Sequence, residues 1–185
     1  MPRPAVGDGS RVLTTAPPRS PADALAAHQQ RVAELLTAAP AAALRSRRLP
    51  DAQHVRLVGS GHFPAYAAEL AWTPHEVAGH LRDSALVFTA RVARLRTEDD
   101  PLLPDFDPTA ADRVAGYATV PPSRLLDELR DAQAGLLAAV RDVPDADRAR
   151  TGRHATDGAL TLGDVLDFLP GHQRDHAEQL AALLR

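Results

Sequence analysis

A chain of 185 residues that is 44% hydrophobic can bury a sizeable core, which excludes a disordered protein. Aromatic residues are only 4%, so the core must come from Leu, Val and Ala, a composition that suits helices packed on helices better than sheets. The net charge is −3, all 21 basic residues are arginine (no lysine, isoleucine or asparagine occurs, the mark of a GC-rich coding bias), and no basic run exceeds two residues, which argues against nucleic-acid binding.

Residues 1–19 are rich in Pro, Gly, Ser and Thr without periodicity and read as a flexible tail. The opening Met-Pro-Arg-Pro lacks the apolar segment of a secretory signal. No apolar stretch nears the ~18 residues that span a bilayer. The expected location is therefore cytoplasmic, with no membrane contact. Ser20, Pro21 and Asp23 form an N-cap, a first-turn proline and an early acid, which predicts a helix running to about Pro40. Its apolar stripe is Leu25, His28, Val32, Leu35 and Leu36.

Between residues 41 and 70 neither the helical nor the strand period dominates, and a short helix with an ordered connection is expected. Thr73-Pro74-His75-Glu76 is a capping box with proline at the first helical position. Val77, Leu81, Ser84 or Ala85, Phe88, Val92 and Leu95 continue it at helical spacing. The acidic, proline-rich stretch from Glu98 to Pro108 is a long connection, either a lid that brings Phe106 over a pocket or a plain crossover. A third helix starts near Pro121-Pro122-Ser123, carries Leu125, Leu129, Ala132, Leu136 and Val140, and ends before Pro144. The fourth opens at Thr161-Leu162-Gly163-Asp164, with the seam Leu162, Val165, Leu169, His172, His176, Leu180 and Leu183. Four amphipathic helices with no convincing strand pair predict one all-α domain, a four-helix bundle, over residues 20–185.

His172 and His176 stand at i and i+4, one turn apart on a single face, about 6 Å from each other. They also lie on the apolar seam. Two imidazoles in a low-dielectric interior cannot both be charged, and one divalent cation satisfies both lone pairs. A third ligand must come from a facing helix, and His80 is the best placed, about 60° from the buried stripe of the second helix. Hydrogen-bonded core histidines without a metal are the bland alternative. His28 is a fallback ligand, His75 lies in the capping turn and is expected to be solvated, and His54, His62 and His154 fall in loop-like segments. Pro170-Gly171 before His172 predicts either a helix break at Leu169 or a kink that aims His172.

The segment Trp72-Thr73-Pro74-His75-Glu76-Val77 with His80-Leu81-Arg82-Asp83-Ser84 resembles the metal-binding bundles of the DinB-like (YfiT-like) family. So do Asp99 to Asp107, Gly152-x-His154, Leu160-Thr161 and Gly171-His172-Gln173-Arg174-Asp175-His176. Proline at position 170 departs from the small or apolar residue usual there. The resemblance implies an up-down-down-up bundle, often dimeric, whose three histidines hold a zinc, nickel or similar ion. Carried over by position, these are His80, His172 and His176. Relatives of that family include low-molecular-weight thiol S-transferases, a mycothiol-dependent isomerase and stress-induced proteins.

Three neutral imidazoles leave a divalent ion its full charge and open positions for water or substrate. No cysteine is present, so any thiol chemistry needs a low-molecular-weight thiol as cosubstrate. Asp83, three residues past His80, and Asp175, three past His172, are candidates for orienting a ring nitrogen or accepting a proton, or are surface acids. Arg91 lies about 16 Å along the axis from His80, too far to touch the ion. The expected function is a metal-dependent enzyme acting on a small molecule, by thiol transfer to an electrophile or by hydrolysis with metal-activated water. The alternative is a non-catalytic metal-binding stress-response protein.

Overall fold

The Ser20 hydroxyl accepts the Asp23 amide at 3.2 Å and opens helix α1 (Pro21–Ala38). The computed structural model describes residues 20–61 and 67–185, so the expected tail and His62 lie outside it. Helix α1 buries Leu25, Gln29, Val32 and Leu36. Gln29, not His28, completes this stripe, because its side-chain amide donates to the Gln133 carbonyl at 3.2 Å. His28 stays half-buried at the edge.

The ambiguous stretch resolves into two short helices, α2 (Ala41–Ser46) and α3 (Asp51–Gly59), and a 3-10 turn over Ala67–Ala71. Pro40 and Pro50 precede the two helices as their N-caps. Helix α3 buries Leu57 while Val55 and Val58 face solvent, which explains why no apolar period was visible. His54 belongs to this helix and not to a loop.

Helix α4 (Pro74–Thr97) begins with the expected capping box, in which the Thr73 hydroxyl accepts the Glu76 amide and Glu76 accepts the Thr73 amide. The connection after it holds strand β1 (Leu102–Leu103) and helix α5 (Ala111–Tyr117), neither of which the sequence pattern announced. Helix α6 (Pro122–Arg141) buries the expected Leu125, Leu129, Ala132, Leu136 and Val140. Strands β2 (Thr151–His154) and β3 (Gly158–Thr161) form an antiparallel hairpin, with Gly158 at φ +81 in its turn. Strand β1 pairs with β2 in parallel. This small sheet corrects the expectation of no strand pair. The buried positions of β2 are Gly152 and His154, so no apolar alternation marks it.

Helix α7 (Leu162–Leu183) starts at a second capping box, Thr161 with Asp164, and runs unbroken through Pro170. It therefore does not break at Leu169. Helices α1 and α4 each pack against both α6 and α7, which closes an all-α four-helix bundle with the sheet at one end of α4 and α7. One apolar cluster includes Ala85, Val92 and Leu95 of α4 and Leu162 to Leu169 of α7. The other takes Val77 to Leu81 of α4 and Ala177 to Leu183 of α7. The polar layer of the molecule lies where these two clusters meet. No helix among the described residues is long and apolar enough to cross a membrane.

Candidate metal centre

On α4 the boundary between the two apolar clusters falls at His80 and Ser84, and on α7 it falls at His172 and His176. One ring nitrogen from each of the three histidines lies within 4.8 Å of the others. Nε2 of His80 is 3.1 Å from Nε2 of His172. Two nitrogens bound to one ion at metal–nitrogen distances near 2.05 Å sit about 3.0–3.4 Å apart, so this spacing fits a shared cation. His80 is 2% exposed and His176 fully enclosed. His80 is buried deeper than its position on the helical wheel suggests, since the first two turns of α4 are covered on nearly all sides.

Burial holds the pKa of His80 and of His172 well below the ordinary histidine value, and the neighbouring imidazoles push the same way. Both rings are therefore neutral near pH 7 and offer lone pairs, the state a metal requires. His176 Nδ1 donates to Gln179 Oε1 at 2.9 Å, which makes Nε2 the nitrogen available to an ion. The Gln179 amide nitrogen in turn donates to the Glu69 carbonyl at 2.7 Å. Trp72 packs on the His80 ring and Phe168 stacks on that of His172, with centroids 5.1 and 5.3 Å apart.

Glu69 was not singled out from the sequence. It sits in the 3-10 turn, in the segment where periodicity placed nothing, and is 3% exposed. Its Oε2 lies 3.3 Å from His176 Nε2 and 3.8 Å from His80 Nε2. That oxygen makes no hydrogen bond among the described residues. Only an acid preceding the capping box at Thr73 hinted at it.

Asp83, expected either to act beside His80 or to be a surface acid, is held by other partners. Its carboxylate accepts the Tyr117 hydroxyl at 3.1 Å and pairs with Arg82 at 2.8 Å and Arg113 at 3.4 Å. Those partners tie α4 to α5 and engage both oxygens of the Asp83 carboxylate. Asp175 is buried and pairs with Arg174 at 2.8 Å. His75, expected in solvent, is buried with Nε2 on the Tyr117 carbonyl at 2.9 Å, because α5 covers this turn. His28 lies outside the three-histidine group.

A cavity of about 560 Å³ reaches the site and is lined by Glu69, His80, Ser84, Phe88, Phe168 and His172. Its far wall includes Phe106, Arg91 and His154. Phe106 faces the His80 ring at 6.4 Å and carries Arg113 over its other surroundings, 4.5 Å from the ring centroid. The acidic connection is thus a wall of the cavity. Arg91 Nη2 meets the Pro104 carbonyl and His154 Nε2, each at 2.8 Å. His154 is a buried strand residue and not a loop one. A groove of about 680 Å³ between α1 and α6 is lined by none of these histidines.

Fold and site together define a helix bundle with three converging imidazoles, two of which, His80 and His172, line a cavity. The sequence profile of the DinB superfamily matches residues 18–180, and the chain belongs to that superfamily. It is 23% identical over 114 residues to an Oceanobacillus iheyensis protein named as a candidate metal-dependent hydrolase; the match covers 62% of this chain and 66% of that protein. YfiT from Bacillus subtilis, described as a probable metal-dependent hydrolase with an unusual four-helix bundle topology, is similar with a TM-score of 0.57. It is 22% identical, over 86% of this chain and 85% of YfiT. The mycothiol-dependent maleylpyruvate isomerase gives a TM-score of 0.64 at 14% identity, over 86% of this chain but only 59% of the isomerase. At these identities the solved structures establish a common fold.

Proposed function

We propose that this chain is a divalent-metal-dependent enzyme, its ion held by His80, His172 and His176, that transfers a low-molecular-weight thiol to a small electrophile. The observation that carries this reading is the cavity that opens onto His80 and His172. A site built only to staple helices has no need of an open approach. The buried orphan oxygen of Glu69 beside the rings also fits a cation at that point.

A bound divalent ion supplies Lewis acidity, which brings the pKa of a thiol or a water down toward neutrality. The chain's own residues do the rest. Gln179 holds His176 in the tautomer whose Nε2 faces the site. Phe88, Phe168 and Phe106 supply the apolar part of the cavity wall, against which the body of a small substrate can pack. Since the chain has no cysteine, the sulfur comes from the cosubstrate: a carbon–sulfur bond forms as the S–H bond breaks, and the electrophile either opens a double bond and takes up the proton or releases its leaving group, which carries off the electron pair. Hydrolysis is the second reading, favoured by the names of two similar proteins.

Elemental analysis of tag-free protein tests the metal site. We expect close to one divalent ion per chain in the wild type and almost none in His176→Ala. Mixing metal-loaded protein with mycothiol and a chromogenic electrophile then tests the chemistry, with conjugation expected above the uncatalysed rate and lost in His176→Ala. No acceleration with any of several thiols, alongside cleavage of an activated ester, would move the assignment to hydrolysis.

A further inference from the structure

The geometry points to Glu69 as a fourth protein ligand of the same ion, making the donor set three imidazole nitrogens and one carboxylate oxygen. This inference rests on the three-histidine reading above. Its starting point is a buried carboxylate oxygen beside the rings. His176 bonds Gln179 Oε1 through Nδ1, so Nε2 is its nitrogen nearer Glu69. Glu69 Oε2 stands 3.3 Å from that nitrogen and makes no hydrogen bond among the described residues. A carboxylate oxygen buried without a donor is costly unless a cation lies beside it.

Two of the three distances are those of neighbours in one coordination sphere. Donors bound to a single ion about 2.1 Å away are separated by roughly 3.0–3.4 Å. Glu69 Oε2 stands 3.3 Å from one ring nitrogen and 3.8 Å from a second, and the pair His80–His172 is at 3.1 Å. The fold also delivers Glu69 on purpose-built support, since the Gln179 amide that orients His176 donates to the Glu69 carbonyl across 110 residues of chain. Imidazole and carboxylate side chains are therefore registered to each other by one glutamine.

A nitrogen-three, oxygen-one donor set lowers the net charge of the site from +2 to +1. With four protein donors, a substrate could reach the ion only if the ion accepts a fifth or sixth ligand, as nickel(II) and iron(II) do. Such an ion would have room for a further ligand from the cavity that Glu69, His80 and His172 border. Glu69 thus shapes which metal is held without closing the site to substrate.

Nickel(II) affinity, measured by chelator competition on wild type, Glu69→Gln and His176→Ala, tests this. We expect Glu69→Gln to weaken nickel binding by about 100-fold or more, at or above the 10–100-fold span typical of residues that only support a ligand. The metal-free Glu69→Gln protein should melt no lower than the metal-free wild type, because the substitution removes a buried charge. Equal nickel affinity in wild type and Glu69→Gln, with loss in His176→Ala, overturns the role of Glu69 and leaves the three-histidine site standing. A wild type that takes up no divalent ion overturns both. Should Glu69→Gln fail to fold, a crystal structure of nickel-loaded wild type decides: a Glu69 oxygen within about 2.2 Å of the ion supports the assignment, and one beyond about 3 Å refutes it.

Discussion

Gln179 does two things with one amide: its oxygen takes the His176 Nδ1 proton and its nitrogen holds the Glu69 carbonyl. Groups of this kind orient metal ligands and raise their basicity, and their loss commonly costs 10–100-fold in metal affinity. Gln179→Leu keeps the side-chain volume and removes both contacts. It is expected to weaken metal binding by about 10-fold or more while leaving the helical circular dichroism unchanged. An unaltered affinity would show that His176 needs no such support. Asp83 illustrates the opposite case. A spacing of three residues from His80 put it on the right face in principle, but Arg82, Arg113 and Tyr117 satisfy its carboxylate on the α5 side.

Helix α5 earns its place through a single close approach. A Cβ at Gly79 of α4 would stand 2.5 Å from ring carbons of Tyr117, so only glycine lets this helix seat its tyrosine against α4. The Tyr117 hydroxyl then reaches Asp83 and its carbonyl takes the His75 ring. Both burial and the Asp83 carboxylate push the Tyr117 phenol pKa upward, keeping it neutral. Gly79→Ala is expected to destabilise the protein by about 1–3 kcal/mol, the usual cost of an overpacked core, as read from urea unfolding. Since α5 also shields the turn that carries His80, the same substitution should make the site more accessible to a chelator.

Across the whole molecule, the polar layer sits between two apolar clusters, and that placement governs the response to acid. Burial is the largest cause lowering the pKa of His75, His80 and His172 below the ordinary value of 6.5. The unfolded chain therefore takes up protons below about pH 6.5 that the folded chain refuses, so stability is full above that pH and falls as the pH drops toward the folded-state values. The metal-free protein should show a melting temperature that declines from pH 7 to pH 5. Metal-loaded protein should decline more steeply, because protons compete with the ion for the same lone pairs. A melting temperature that rises on acidification would contradict the neutral, buried state of these rings.

Sequence alone determined the features that depend on near neighbours in the chain. The two capping boxes, the helical stripes of α6 and α7, and the shared face of His172 and His176 all follow from spacings of three and four residues. Motif blocks then pointed to the superfamily and to His80. Tertiary structure decided everything that joins distant segments. Glu69 meets Gln179 across 110 residues, Tyr117 finds Gly79 and Asp83, and Arg91 finds His154. The small sheet was hidden for a related reason: its buried positions are a glycine and a histidine, and backbone pairing with a remote strand, not apolar alternation, defines it. Local periodicity reports which face of an element is apolar, whereas the partner of a buried polar group is set by packing between elements.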